Sequence, residues 1–310
     1  PGHRLALVWS LRGAPHVHRR ADLDALASAL YPLSEADATG RLNETGPSLA
    51  RKGMGAMEQY TTAVAAMREV VRKPMAKGAV STAVTKAIPA AMHRECRACK
   101  TSHISDSAMR SAFLAAGLEL DPGTAPPVLR RRTGARVAKK PSAAALRKLV
   151  LGYLQQLGPA TCGDVAGYLE ARRADVEEIW PDGLVEVRVD GRRAWLPEDR
   201  VGALQHAPDP DVVRLLGAYD PYLQARDRNL IVADKAVHKT LWPVLGRPGA
   251  LFVDGEVAGT WRPKTSGATL TLQVEPFGAL PPPVWEQVEA EAARVAAVRS
   301  SGKVVVKRVE

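Results

Sequence analysis

Apolar positions recur at helical spacing over several stretches of the chain and alternate over others. Leu23, Leu26 and Leu30 define one face of Asp22–Leu33, with Asp22 placed to cap it. Met57, Tyr60, Val64 and Met67 do the same over Met54–Val71, and Pro74 stops that helix. Ser81 is placed to cap a short helix, Thr82–Ala87, which Pro89 closes. Another helix follows Asp106, over Ser107–Ala116, and Gly117 ends it. The stretch "LELDPGTAPPVLRRRTG" then reads as extended chain with a Pro-Gly turn.

Arg132–Pro141 ("RTGARVAKKP") is basic and bounded by Gly and Pro, which marks a linker. The clearest local pattern comes next. Ser142 and Gly158 bracket one helix, Thr161 opens a short second one, and a third starts near Arg172. "LVEVRVDGRRAWLP" is then two alternating strands joined by Asp190-Gly191, a strong hairpin signal. This is the order of a winged helix-turn-helix, with Arg172 and Arg173 on its recognition helix and Arg192 and Arg193 on its wing. Such units also serve as protein–protein modules. Farther on, "RPGALFVDGEVAGTWRP" is strand, Asp254-Gly255 turn, strand, and "TLTLQVEPFG" is another strand, which suggests a small antiparallel barrel or sandwich. Trp285, Val288, Ala292 and Val295 mark a closing helix, and the basic tail "GKVVVKRV" is either a strand or disordered.

Length and charge narrow the picture. A chain of 310 residues suggests about two domains. The net charge of +10 predicts attraction to polyanions, with arginine grouped at Arg12/Arg19/Arg20, Arg130–Arg132, Arg172/Arg173 and Arg192/Arg193. No apolar run approaches the ~20 residues of a membrane helix. Three cysteines fit a reducing cytoplasm rather than a disulfide framework. The chain begins at Pro1 and has no signal peptide, so part of a natural N terminus is expected to lie outside it.

Candidate chemistry falls in three places. His93, Cys96, Cys99 and His103 stand as H-x2-C-x2-C-x3-H, which offers either a structural zinc or a reduced cysteine pair in a hairpin. Cys162, in an apolar helix start, reads as core. In "AYDPYLQARDRN", Asp220 either orients water and a developing cation or caps a turn, and Asp227 pairs with an arginine. In "SLRGAPHVHRRADL", His16 and His18 point the same way on extended chain beside Arg12, Arg19 and Arg20. An acid/base or DNA-backbone role suits them better than a metal, and a partly exposed hairpin edge is the plain alternative. Walker loops, H-E-x-x-H and G-x-S-x-G are absent from the sequence.

Taken in order, "VWSLRGAPHVHRRADL", the unit at 142–200, "LLGAYDPYLQARDRN" and "ALFVDGEVAGTWRP" resemble the AlkZ/YcaQ-like winged-helix DNA glycosylase family. The resemblance implies an α+β fold of tandem winged helix-turn-helix domains followed by a small antiparallel β-barrel around a DNA-binding cleft. On it, 1–75 is a partial first winged-helix and helical region, and 76–135 a second winged-helix-like region with the cysteine hairpin. Residues 140–200 form a winged helix-turn-helix, and 205–310 the barrel with its helix. It also implies removal of alkylated or crosslinked purines without a metal, by a monomer acting on double-stranded DNA. The catalytic side chains expected are His16, His18 and Asp220. Arg12, Arg19, Arg172, Arg173, Arg192, Arg193 and Arg228 are the expected DNA contacts. One departure stands out: the family's Gln–apolar–Gln or Gln–apolar–Asp motif occurs nowhere in this sequence. Two other readings therefore stay open, a DNA-binding protein without catalysis and a zinc-stabilised interaction module.

Overall fold

The computed structural model describes residues 4–42, 53–96, 100–299 and 301–309. The chain is a mixed α+β protein that divides into two compact units, Pro1–Glu198 and Asp199–Glu310.

The first unit opens with a hairpin of β1 (Leu5–Trp9) and β2 (Pro15–Arg19), paired from Leu5↔Arg19 to Trp9↔Pro15. Helices α1 (Leu23–Ala29), α2 (Glu35–Arg41) and α3 (Ala56–Val70) follow. Then come β3 (Met75–Ala76), α4 (Lys77–Ala87), β4 (His93–Cys96), β5 (Thr101–Ile104), α5 (Asp106–Ala115), β6 (Leu118–Leu120) and β7 (Val128–Arg131). One sheet runs β2-β1-β6-β7-β3. Segments 1–75 and 76–135 thus share a sheet, and they also share a core in which Leu23, Tyr60, Met67, Phe113 and Leu118 are fully buried. Each such side chain contributes about 1.5–3 kcal/mol of hydrophobic stabilisation.

Local rules explain most boundaries. Ser34 caps α2 by accepting from Asp37 N–H, and Ser105 caps α5 by accepting from Ala108 N–H. Two expectations shift. A 3-10 turn over Arg20–Asp22 leads into α1, so Asp22 has helical backbone and makes no cap hydrogen bond. Helix α4 starts at Lys77, four residues before Ser81, because the chain enters it straight from β3.

The rest of this unit is α6 (Ala143–Leu157), α7 (Cys162–Leu169), α8 (Arg173–Glu177), β8 (Leu184–Val189) and β9 (Arg192–Pro197). Ser142 caps α6, and Thr161 with Asp164 forms a reciprocal capping box on α7. Asp190, in left-handed backbone, and Gly191 make the tight turn between β8 and β9. The core of this part holds Leu146, Val150, Leu154, Val165, Leu169 and Val176, and it takes in Leu11 and Ala29 from the N-terminal segment. The two cores therefore meet at the β1–β2 connection.

Helix α9 (Glu198–Gln205) spans the boundary between units. The second unit holds β10 (Val213–Leu216), three four-residue helices, namely α10 (Pro221–Gln224), α11 (Arg228–Ile231) and α12 (His238–Leu241), then β11 (Gly249–Val253), β12 (Glu256–Ser266), β13 (Thr269–Pro276), α13 (Pro282–Val298) and β14 (Lys303–Arg308). The sheet order is β10-β11-β12-β13-β14. The expected antiparallel barrel is corrected in two respects. The tail is a strand, and it pairs parallel to β13, because α13 carries the chain back across the sheet before β14 begins. Among the described residues the two edge strands do not pair, so the sheet is open. It is nevertheless curled. Helix α13 packs against both edge strands, β10 and β14. A flat five-stranded sheet is roughly 19 Å wide, too wide for one helix of ~10 Å to touch both edges.

Candidate active site

The β1–β2 connection is tight. Ser10 N–H donates to Ala14 O at 3.0 Å, and Gly13 N–H to Ser10 O at 3.0 Å. Both Arg12 (φ +57°) and Gly13 (φ +64°) adopt left-handed backbone to make the turn. A side chain at Gly13 would place its Cβ 3.0 Å from Arg110 Cβ, so glycine is needed for space as well as for φ.

This turn aims Ser10 at both histidines. Ser10 Oγ lies 2.9 Å from His16 Nδ1 and 3.0 Å from His18 Nε2. His16 Nδ1 also lies 3.0 Å from Ala14 O, which assigns the ring proton to Nδ1. Ser10 then accepts from His16 and donates to His18. Burial lowers the pKa of both rings; Arg12 lowers His16 further, and His16 lowers His18. Both rings are therefore held neutral, with centroids 6.0 Å apart.

Ser10 is also part of the wall of a pocket at the seam between the two cores, with Trp9, Arg12, Arg41, Tyr60, Arg110 and Glu170. Phe113 supports Trp9 from below, with ring centroids 4.8 Å apart, and the Arg110 guanidinium lies 4.8 Å from the Trp9 ring. Arg110 is fixed by Asp106 (2.7 Å) and Gly13 O (2.9 Å). Arg41 is fixed by Asp37 (3.0 Å) and Leu30 O (2.7 Å). Arg12 lies 4.9 Å over the ring of Tyr168, on α7. His16 and His18 do not line the pocket themselves; they reach it through Ser10.

The other expected site residues are dispersed. Arg19 alternates with His16 and His18 along β2 and so projects from its opposite side, into a cleft with Arg4, Arg20 and Arg132. Arg173 and Arg193 do come together, lining a shallow cleft with Trp180, Trp195, Thr161 and Cys162. Arg173 pairs with Glu177 at 2.6 Å and Arg193 approaches Glu186 at 3.7 Å. Arg172 and Arg192 are exposed beside them. Asp220, in the second unit, caps α10 by accepting from Tyr222 N–H at 2.9 Å, the turn-capping alternative. Arg228 lies 4.9 Å over the Trp242 ring, near Arg226 and Arg247.

The cysteine–histidine motif forms the β4–β5 hairpin, pairing His93↔Ile104, Arg94↔His103 and Cys96↔Thr101. His103 Nδ1–H donates to Ile104 O at 2.6 Å, and this bond, with Cys96 next in effect, raises its pKa. Cys99 lies outside the described residues. Among the described residues no three His, Cys, Asp or Glu side chains gather to hold a metal ion. Cys162 is buried, its thiol pushed up to about 11, as a core cysteine should be. Sequence reasoning missed Tyr60, Arg41, Arg110 and Glu170 as pocket residues, since each comes from a separate helix and none belongs to a local motif.

A basic α+β protein with a polar, arginine-rimmed pocket beside a Ser–His–His cluster belongs among proteins that handle nucleic acid. The comparisons are specific on this point: residues 1–298 match the family described as DNA glycosylase AlkZ-like, and the chain belongs to that family. Its fold is similar to that of the Streptomyces sahachiroi DNA glycosylase AlkZ, with a TM-score of 0.72 and 21% identity over 99% of this chain and 82% of that one. No curated protein sequence matches the chain. No helix among the described residues is long and apolar enough to cross a membrane.

Proposed function

We propose that this chain is a monofunctional DNA glycosylase that hydrolyses the N-glycosidic bond of alkylated or crosslinked purines in duplex DNA. Membership of the AlkZ-like family carries the reaction class. The pocket at the seam of the two cores carries the assignment within the chain, because three arginines meet there beside Ser10, the serine that holds the neutral histidine pair. Helices α6 to α8 with the β8–β9 hairpin then act as a winged helix, the hairpin serving as wing. Arg172, Arg173, Arg192 and Arg193 hold backbone phosphates from that side, and Arg12 does so at the pocket mouth. Arg19, in its own cleft with Arg4, Arg20 and Arg132, adds a phosphate contact on the first unit, and Arg228 is a phosphate contact of the second unit. The damaged nucleotide leaves the stack at a cost of a few kcal/mol, smallest where damage has already weakened pairing. His16 and His18, neutral and coupled through Ser10, orient polar groups at the sugar without adding charge. Asp220 holds the turn at the start of α10. A monomer working in the cytoplasm on chromosomal DNA fits the basic, cysteine-poor chain.

The test is base release from duplexes carrying N-alkylated purines. Release of the free base, with no strand cleavage, is the expected result. Salt-dependent duplex binding without release would instead support a binding protein, the reading that the absence of Gln-x-Gln and Gln-x-Asp from the sequence favours. Replacing Arg192 and Arg193 by Ala should weaken binding to every sequence and flatten the salt slope by about 2. An unchanged slope would remove the wing from the DNA.

A further inference from the structure

Five non-glycine residues among those described have left-handed backbone: Arg12, Lys100, Glu170, Asp190 and Asp254. Asp190 and Asp254, like Arg12, each precede a glycine in a hairpin turn, and Lys100 sits in the connection between β4 and β5. Glu170 (φ +54°) alone sits outside such a turn, and it lines the seam pocket together with Arg12 (φ +57°). Glu170 ends α7 at a position where glycine would sit without strain. Non-glycine residues held in such backbone cluster at functional sites, where the surrounding structure over-determines them. Glu170 is also the one acidic side chain among the described residues lining this pocket; Arg12, Arg41, Arg110, Ser10, Ser111 and Tyr60 supply the other polar side chains. Arg41 and Arg110 are engaged by Asp37 and Asp106, outside the pocket wall. The cavity has about 30 Å³ of room for water, enough for about two molecules.

We infer that Glu170 is a catalytic residue of the base-excision reaction, supplying the carboxylate that takes the proton of the attacking water. The inference rests on the glycosylase reading. As the water oxygen bonds to the sugar C1′, the glycosidic C–N bond breaks and its electron pair leaves with the base. An N-alkylated purine, cationic before cleavage, departs neutral, and the water proton passes to Glu170. A carboxylate beside a sugar that becomes cation-like also favours the transition state over the ground state. Arg12, stacked on Tyr168 two residues before Glu170, lines the same pocket.

The experiment is single-turnover base release by the full chain on a duplex carrying an N-alkylated purine, with duplex binding and Tm measured alongside. Glu170→Gln should lower the rate about 100-fold or more while binding stays within about threefold. Glu170→Asp should retain most of the rate. Glu170→Gly should lose the same activity yet raise Tm by about 2 °C, because glycine relieves the left-handed strain. Added formate should restore part of the rate to Glu170→Gly, which a merely structural role would not allow. A wild type that releases base, with Glu170→Gln within about threefold of it, overturns this assignment alone. Loss of rate in Glu170→Gly without rescue by formate does the same. A wild type that binds duplex and releases no base overturns the glycosylase reading, and this assignment with it.

Discussion

Two short hairpins of the first unit carry histidines, and they differ in what surrounds them. In β1–β2, His16 and His18 converge on one serine, are half-buried and sit behind a pocket wall. In β4–β5, His93, Cys96 and His103 are nearer to one another in sequence than most metal-binding sets and line one pocket, yet among the described residues no three such side chains gather to hold a metal ion. His103 spends its Nδ1 proton on the carbonyl of the next residue. The difference lies in what pins each hairpin. The first is braced by Trp9, which is buried against Phe113 under the Arg110 guanidinium, and by a turn that needs Gly13. The second packs chiefly against α4. Proximity in sequence becomes a site where the backbone is over-determined from several directions.

The contrast is sharpest in stability. Trp9→Ala should cost about 3–5 kcal/mol, since it empties the packing beneath the pocket; a urea midpoint barely changed would mean that the strand is not anchored there. Ser10→Ala should cost about 1–2 kcal/mol, because two half-buried rings lose a partner at once. Its counterpart His103→Ala should stay within about 0.5 kcal/mol, and equal costs would erase the distinction between the hairpins. Acid should separate them by sign. His16 and His18 titrate below the ordinary 6.5. Their contribution is complete above 6.5 and is lost as pH falls below it. His103 is raised, so its contribution is present below 6.5 and is lost as pH rises. The urea midpoint should fall from pH 7.5 to 5.5; His16→Gln with His18→Gln should flatten that fall, and His103→Gln should steepen it slightly.

Much of the fold was legible because it is local. Ser142, Thr161 and Gly158 announce their helices, and Asp190-Gly191 and Asp254-Gly255 announce their turns. Helix α2 was missed although Ser34 and Asp37 form a recognisable start, because seven residues give too little apolar periodicity. The parallel return of β14 was illegible, since alternation reveals a strand but not its direction. The candidate site was half legible. Arg12, His16 and His18 lie within one motif, while Arg41, Tyr60, Arg110 and Glu170 are joined to Ser10 only by tertiary packing. The backbone angle that distinguishes Glu170 leaves no trace in residue type, because glutamate is an unremarkable residue at a helix end.

The last strand carries a practical consequence. β13 alternates threonine and glutamine with buried Leu270, Leu272 and Val274, and its outer hydrogen-bonding edge is covered by β14 alone. Without that cover it would be an open edge on which a second molecule could add a strand. β14 bears Lys303, Lys307 and Arg308, with the Arg308 guanidinium 4.2 Å over the ring of Trp285. Those charges discourage the next strand from joining. The six residues of β14 thus guard that edge against strand addition, and removing them should raise aggregation, read as light scattering.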